Sequence, residues 1–240
     1  MLRAQQLSRS AVRVRPRLLE TIHERSRRRK LTQLLEEFRP GPDTRLLEVG
    51  VDNVEPLAST NYLIKNYPHR SALTALGIGD MSGFARMNPG IPVYSYDGQH
   101  FPFPDRSFDI VHSNAVIEHV GSREAQRQFL AELRRVGRCG MVTTPNKYFP
   151  IETHTLLPLL HWTDEHTFRR RIDRIGTENL GRMFRTIGFT FPTADLPYLR
   201  LLSASELRVL AAEVGMAQFS VRTRAMFGWP FAVTLTWYDN

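Results

Sequence analysis

The chain has 240 residues, 42% hydrophobic and 23% charged, with a formal net charge of +8 and one cysteine, Cys139. That size suits a single α/β core with an elaboration rather than two independent domains, and no apolar run approaches the ~18 residues of a membrane-spanning helix. A lone cysteine excludes an internal disulfide, and the absence of a CxxC pair or Cys/His cluster argues against zinc, so a reducing, cytoplasmic setting is expected.

The positive charge is concentrated at the start. Met1 to Arg17 holds five arginines and no acid, and "RSRRRK" (Arg25 to Lys30) adds a second cluster. An anionic surface, a nucleic acid or a transit address would each suit such a segment. A solvated basic extension over residues 1–25 is the plainer expectation, because only three of the 32 basic residues are lysines and arginine excess runs through the whole chain. The first 20 residues lack the continuous apolar stretch of a secretory signal.

In chain order, Leu31, Leu34, Leu35 and Phe38 at helical spacing predict a helix over 26–38, stopped by "RPGPD". "TRLLEVGV" (44–51) reads as a buried strand, "STNYLIKNYP" as a helix ending at Pro68, and "SALTALGI" (71–78) as a second strand. "IPVYSYD" (91–97) and "FDIVHSN" (108–114) follow as the third and fourth. "SREAQRQFLAELRRVG" sets Ala125, Phe129, Leu130 and Leu133 on one helical face, before a fifth strand at 138–145. From about 146 to 200 the rhythm breaks into an inserted, cap-like segment, with helices expected from Thr163 and near Thr177 to Ile187. Ser203 or Ser205 then caps a helix that Gly215 ends, and two alternating strands joined by Gly-Trp-Pro close the chain as an antiparallel hairpin. Strands alternating with helices predict a Rossmann-like, doubly wound α/β sheet of about seven strands, mostly parallel with an antiparallel C-terminal hairpin, in one domain over 26–240.

The segment from Tyr94 to Asn146 is the most specific. Asp97, the run Phe101 to Phe103, Phe108 with Asp109, Asn114, Glu118 with His119, Glu132 with Arg135 and Val136, and Thr144 to Asn146 follow one another in order. In this the chain resembles the class I S-adenosylmethionine-dependent methyltransferases, in particular the group with the type 11 methyltransferase domain, over roughly residues 25–240. The resemblance implies a methyltransferase with S-adenosyl-L-methionine as cofactor. A nucleoside across the strand ends offers amino and hydroxyl donors and needs acceptors at strand termini. Asp97 and Gly98 suit the adenine, a carboxylate beside a residue that lets the base approach, although an Asp-Gly turn would look the same. Asn114, with Ser113, is placed to meet the methionine part or the acceptor.

The turn after the first strand departs from the family pattern. Glu48 and Gly50 match it, but the next glycine is absent and Asp52, Asn53 and Glu55 fill the turn, where their charges would repel a carboxylate unless they point away or Asp52 meets the cofactor's amino group. The acid expected at the end of the second strand falls near Gly77, leaving Asp80 as the nearby substitute for the ribose. The expected cofactor residues are therefore Glu48, Gly50, Asp52, Asp80, Asp97, Gly98 and Asn114. His119 and His154 are the candidate proton acceptors, while Glu118 with His119, and His154 with His161, can equally brace the structure. Glu132 and Arg135 read as a packing pair. A small-molecule, glycan or lipid-linked acceptor methylated at oxygen is the expected substrate. The alternative is a non-catalytic, methyltransferase-like binding module that uses the basic N-terminus on an anionic surface or nucleic acid. Nucleic acid is disfavoured as a partner, for want of aromatic residues interleaved with the basic ones.

Overall fold

A computed structural model describes residues 17–151, 158–176, 178–180, 182, 198–226 and 228–239. Helix α1 (Arg17–Phe38) leads to β1 (Leu46–Val49), α2 (Tyr62–Asn66), β2 (Leu73–Ile78), α3 (Ser82–Met87), β3 (Val93–Tyr96) and β4 (Phe108–Asn114). Then come α4 (Arg123–Val136), β5 (Gly137–Pro145), α5 (Glu165–Ile175), α6 (Ala204–Glu213), β6 (Gln218–Met226) and β7 (Trp229–Tyr238). The seven strands form one sheet in the order β3-β2-β1-β4-β5-β7-β6. The first five are parallel, and β7 enters antiparallel between β5 and β6. The expected mixed sheet is therefore present, with its order reversing between β1 and β4, the place where open α/β sheets leave a crevice at the carboxyl ends.

Successive strand residues face opposite sides, and each side has its own core. Leu47, Val49, Val111, Val142, Leu235 and Trp237 pack under α4 and α6. On the other side Leu46, Ala75, Ile110 and Met141 meet Leu31 and Leu34 of α1 and Phe84 of α3. Both faces are covered, which is why β1 is buried at every position and reads as an unbroken apolar run rather than an alternating one. Packing leaves no room for a side chain at Gly140, where a Cβ would fall 2.3 Å from both the Trp237 ring and the Val111 carbonyl oxygen.

Helix ends follow local chemistry. Ser203 caps α6 in a capping box with Glu206, and Ser122 and Asp164 cap α4 and α5. Three details differ from the sequence reading. The first helix begins by Arg17, nine residues before Ser26. The short α3 had no sequence signal, since six residues are too few to show a period. Met226 pairs directly with Trp229, so Trp229 and Pro230 already belong to β7 and the hairpin is tighter than a Gly-Trp-Pro connection. In the expected cap segment α5 matches the helix from Thr163, while most of the second expected helix lies outside the described residues. No described helix is long and apolar enough to cross a membrane.

Candidate active site

Three glycines in the left-handed region, Gly50 (φ 93°), Gly79 (φ 77°) and Gly98 (φ 89°), lie just past the ends of β1, β2 and β3. They turn the chain off the sheet at its carboxyl edge, a geometry that side-chain-bearing residues adopt only under strain. At Gly50 the absence of a side chain serves a packing contact as well: a Cβ would sit 2.2 Å from a Val116 methyl carbon. The segment after β4 is thus pressed against the turn after β1.

That turn is built differently from a glycine-rich one. Asn61 ties it down, accepting from the Asp52 amide at 2.9 Å and donating to the Asp52 carbonyl at 2.9 Å and to Glu55. Asn53 Oδ1 accepts from the Phe84 amide at 2.9 Å, and Glu55 also meets Asn88 and Lys65. Burial opposes the Glu55 charge, and its bonds from Asn61, Asn88 and Lys65 outweigh that, holding the carboxyl below its ordinary value. Glu55 is therefore neutralised by its own partners, and Asn53 is held between the Phe84 amide and Asp80, which leaves Asp52 as the one acid of the turn that could meet a ligand.

The two carboxylates at the β2 and β3 ends are exposed. Asp80 accepts from the Ser82 amide at 2.9 Å and its hydroxyl at 2.8 Å. Asp97 takes the amides of His100 and Gln99 on a single oxygen, Oδ1, which leaves Oδ2 for another donor. The backbone bonds from His100 and Gln99 hold Asp97 below the usual carboxylate range, and those from Ser82 do the same for Asp80. Both are ionised acceptors at neutral pH.

Beyond β1 the edge becomes buried and cationic. Glu48 is paired with His112 Nδ1 on the adjacent strand, so its carboxylate is engaged within the sheet. Buried beside it, Ser113 Oγ, Asn114 Nδ2 and His112 Nε2 have no hydrogen-bond partner among the described residues. Asn114 Oδ1 accepts from Lys30 Nζ at 2.6 Å. Lys30 and Arg27 descend from α1, and Arg27 feels the charges of Glu48, Asp52, Glu118 and Glu20. Burial, and then Arg27, pull the Lys30 ammonium down to about 7. These two cations were missed by reading "RSRRRK" as part of a solvated cluster. Yet positions 27, 30, 31, 34 and 38 continue one helical stripe, and that signal could have found them.

His119 lies in the short turn after β4, its amide bonded to the Val116 carbonyl at 2.8 Å. Glu118 is buried and accepts from Thr144 Oγ1 at 3.0 Å, so it braces β5 rather than the helix that follows. His154 lies outside the described residues. His161 Nε2 and Trp162 Nε1 converge on the Lys147 carbonyl at 3.1 and 2.6 Å, which ties the turn at 160–162 to the end of β5. Glu132 and Arg135 are the expected packing pair: Glu132 accepts from the Phe101 amide, and Arg135 donates to the Phe101 and Phe103 carbonyls, pinning the turn before β4. The edge as a whole offers hydrogen-bond acceptors at β2 and β3 and donors at β4.

This sheet order with this crevice is the fold of the class I S-adenosylmethionine-dependent methyltransferases. Residues 79–141 match the Methyltransf_11 family model, a methyltransferase domain. Among solved structures, a methyltransferase of Thermotoga maritima is 16% identical with a TM-score of 0.53, over 93% of this chain and 92% of that one. A Pyrococcus horikoshii OT3 protein is 14% identical with a TM-score of 0.52, over 90% and 91%. The N-terminal domain of EvdMO1, solved with S-adenosylhomocysteine and D-fucose, is 14% identical with a TM-score of 0.51, over 89% and 83%. No curated protein matches the chain.

Proposed function

We propose that the chain transfers a methyl group from S-adenosyl-L-methionine to an oxygen of a small-molecule, glycan or lipid-linked acceptor. The observation that carries this is the polarity of the carboxyl edge. Asp80 and Asp97 would accept from the ribose hydroxyls and the adenine amino group, while the unpartnered Ser113 Oγ and Asn114 Nδ2 would donate to the methionine carboxylate. Lys30 and Arg27 supply the positive potential that a glycine-rich turn would otherwise provide through its amides. Asp52, the acid of the turn whose carboxylate accepts no hydrogen bond among the described residues, would meet the amino group. Gly50 lets the two loops close up, and Gly98 leaves room for the base. Glu48 contributes by fixing His112 rather than by touching the ligand.

When bound, the cofactor supplies the activated methyl on a sulfonium centre. The chain's task is then to align an acceptor with it and exclude water, and alignment can contribute on the order of 7–11 kcal/mol. His119 would take the acceptor's hydroxyl proton, with His154 the other candidate. EvdMO1, which was solved with both a cofactor product and a sugar, lends support to a hydroxyl-bearing acceptor. Calorimetric titration with S-adenosylmethionine and S-adenosylhomocysteine, on the parent and on Asp97→Ala, tests the reading. Micromolar binding to the parent and a loss of at least tenfold in the variant are expected. An absence of binding to the folded parent would overturn it.

A further inference from the structure

On the α1 side of the sheet, past the β4 edge, a cavity of about 350 Å³ lies between α1 and the strands β5, β7 and β6. That is the lower end of the size range of small-molecule sites. Strand register builds its floor. Asn114, Thr143, Thr234 and Arg222 are successive partners across four strands, and Pro145, Ala232 and Arg224 form the next line. Lys30 and Gln33 form the wall from α1.

The lining holds three cations and no acid. Arg222 is balanced by Glu37 at 3.2 Å. Lys30 and Arg224 are not: among the described residues neither has a carboxylate within 4 Å, and Lys30 rests on the neutral Asn114 amide. Burial first, and Arg29 second, lower Arg224, while Lys30 is lowered by burial and then by Arg27 and Arg224, so the two cations repel each other across the site. Thr143 and Thr234 share one hydrogen bond at 3.2 Å, which leaves one of their two hydroxyl protons to donate elsewhere. A half-open cavity with two cations that touch no carboxylate among the described residues, and with a spare hydroxyl, is complementary to an oxyanion, whose arrival would relieve the repulsion.

We propose that this cavity is the anion subsite of the methyl acceptor, in which Lys30 and Arg224 hold the phosphate or carboxylate of a small molecule. The assignment to the acceptor rests on the methyl-transfer reading above; the anion site itself does not. Asn114 joins the two, since its Oδ1 faces Lys30 at the cavity while its Nδ2 is the donor assigned to the cofactor. An acceptor anchored here would lie beside the methionine end.

The test titrates inorganic phosphate, and separately acetate, into the full chain at constant ionic strength and pH 6.5, for the parent, Arg224→Gln, Arg224→Lys and Lys30→Met. S-adenosylhomocysteine is titrated into the same samples. Saturable phosphate binding is expected, weakened at least tenfold in Arg224→Gln and Lys30→Met and kept within about threefold in Arg224→Lys. Tighter binding of phosphate than of acetate marks a phosphorylated acceptor, and the reverse marks a carboxylate. Parent and variants that bind neither anion, or bind it equally, overturn the site. Loss of S-adenosylhomocysteine in Arg224→Gln overturns its assignment to the acceptor, because the cavity would then serve the cofactor. Phosphate binding without any S-adenosylhomocysteine binding to the parent leaves the anion site standing and removes the methyl-transfer reading alone.

Discussion

Asn114 stands between two demands. Its carbonyl oxygen is held by Lys30, and its buried amide nitrogen has no partner among the described residues. An unpaired buried donor costs about 1–3 kcal/mol, a penalty that a bound carboxylate would cancel. Asn114→Ala should therefore weaken S-adenosylmethionine binding by roughly ten- to a hundredfold, since bonds to charged groups contribute about 1.5–3 kcal/mol. The stability of the unliganded protein should change by less than about 1 kcal/mol, because removing the unpaired donor offsets the loss of the Lys30 acceptor. Calorimetry and a urea titration measure the two effects separately. Much at this scale was open to a reader of the sequence: Asp97, Gly98 and Asn114 do fall at strand ends. The roles of Asn53 and Glu55 were not, because Phe84 and Asn88, their partners, lie about thirty residues away and no local pattern announces such a pairing.

At the scale of elements, α1 carries a charged residue where its buried stripe crosses the carboxyl edge. Lys30 is surrounded by Arg27 and Arg224, which disfavour its charge, and by Glu118 and the Asn114 amide, which favour it. Its value of about 7 lies below the ordinary 10.5. Between these two pH values the unfolded chain binds a proton that the folded chain does not, so stability rises with pH across that window. Below about 7 both states are charged and the full cost of burying the ammonium is present. Lys30→Met should accordingly be more stable than the parent at pH 6, by about 1–4 kcal/mol, with the advantage shrinking towards pH 10. Denaturant midpoints of the two proteins at both pH values decide it. The helix itself was legible from Leu31, Leu34 and Phe38; the burial of Arg27 and Lys30, on the same stripe, was obscured by the abundance of arginine throughout this chain. On β5, Gly140→Ala should cost about 1–3 kcal/mol or more, as the new methyl meets both a ring and a carbonyl that cannot withdraw. A lowered thermal midpoint with unchanged strand content is the expected signature.

At the scale of the whole molecule, alternating apolar runs and helical stripes were enough to give the number of strands, their mixed direction and the terminal hairpin. Parallel strands buried on both faces leave continuous apolar segments such as Leu46–Val49, and few folds accommodate five of them in this rhythm. What the pattern could not give was the meeting of α1 with the far edge of the sheet. Lys30 and Asn114 are 84 positions apart, and Glu37 and Tyr238 are separated by 201. Those contacts bring the start of the described chain against its last strands, and the cavity between them exists only in the assembled molecule.

The contact of Gly50 with Val116 has a mechanical corollary. Two loops that emerge from neighbouring strands are bolted together by one methyl group occupying the space where a side chain would be. Neither can swing outward without the other, so entry to the crevice is a single cooperative opening rather than two independent ones. The amides of Gly50 and Ala115, bonded to Leu76 and Thr143, should then exchange with deuterium at matched rates. In Val116→Ala the two rates should separate; rates that already differ in the parent would mean that the hinge has two leaves.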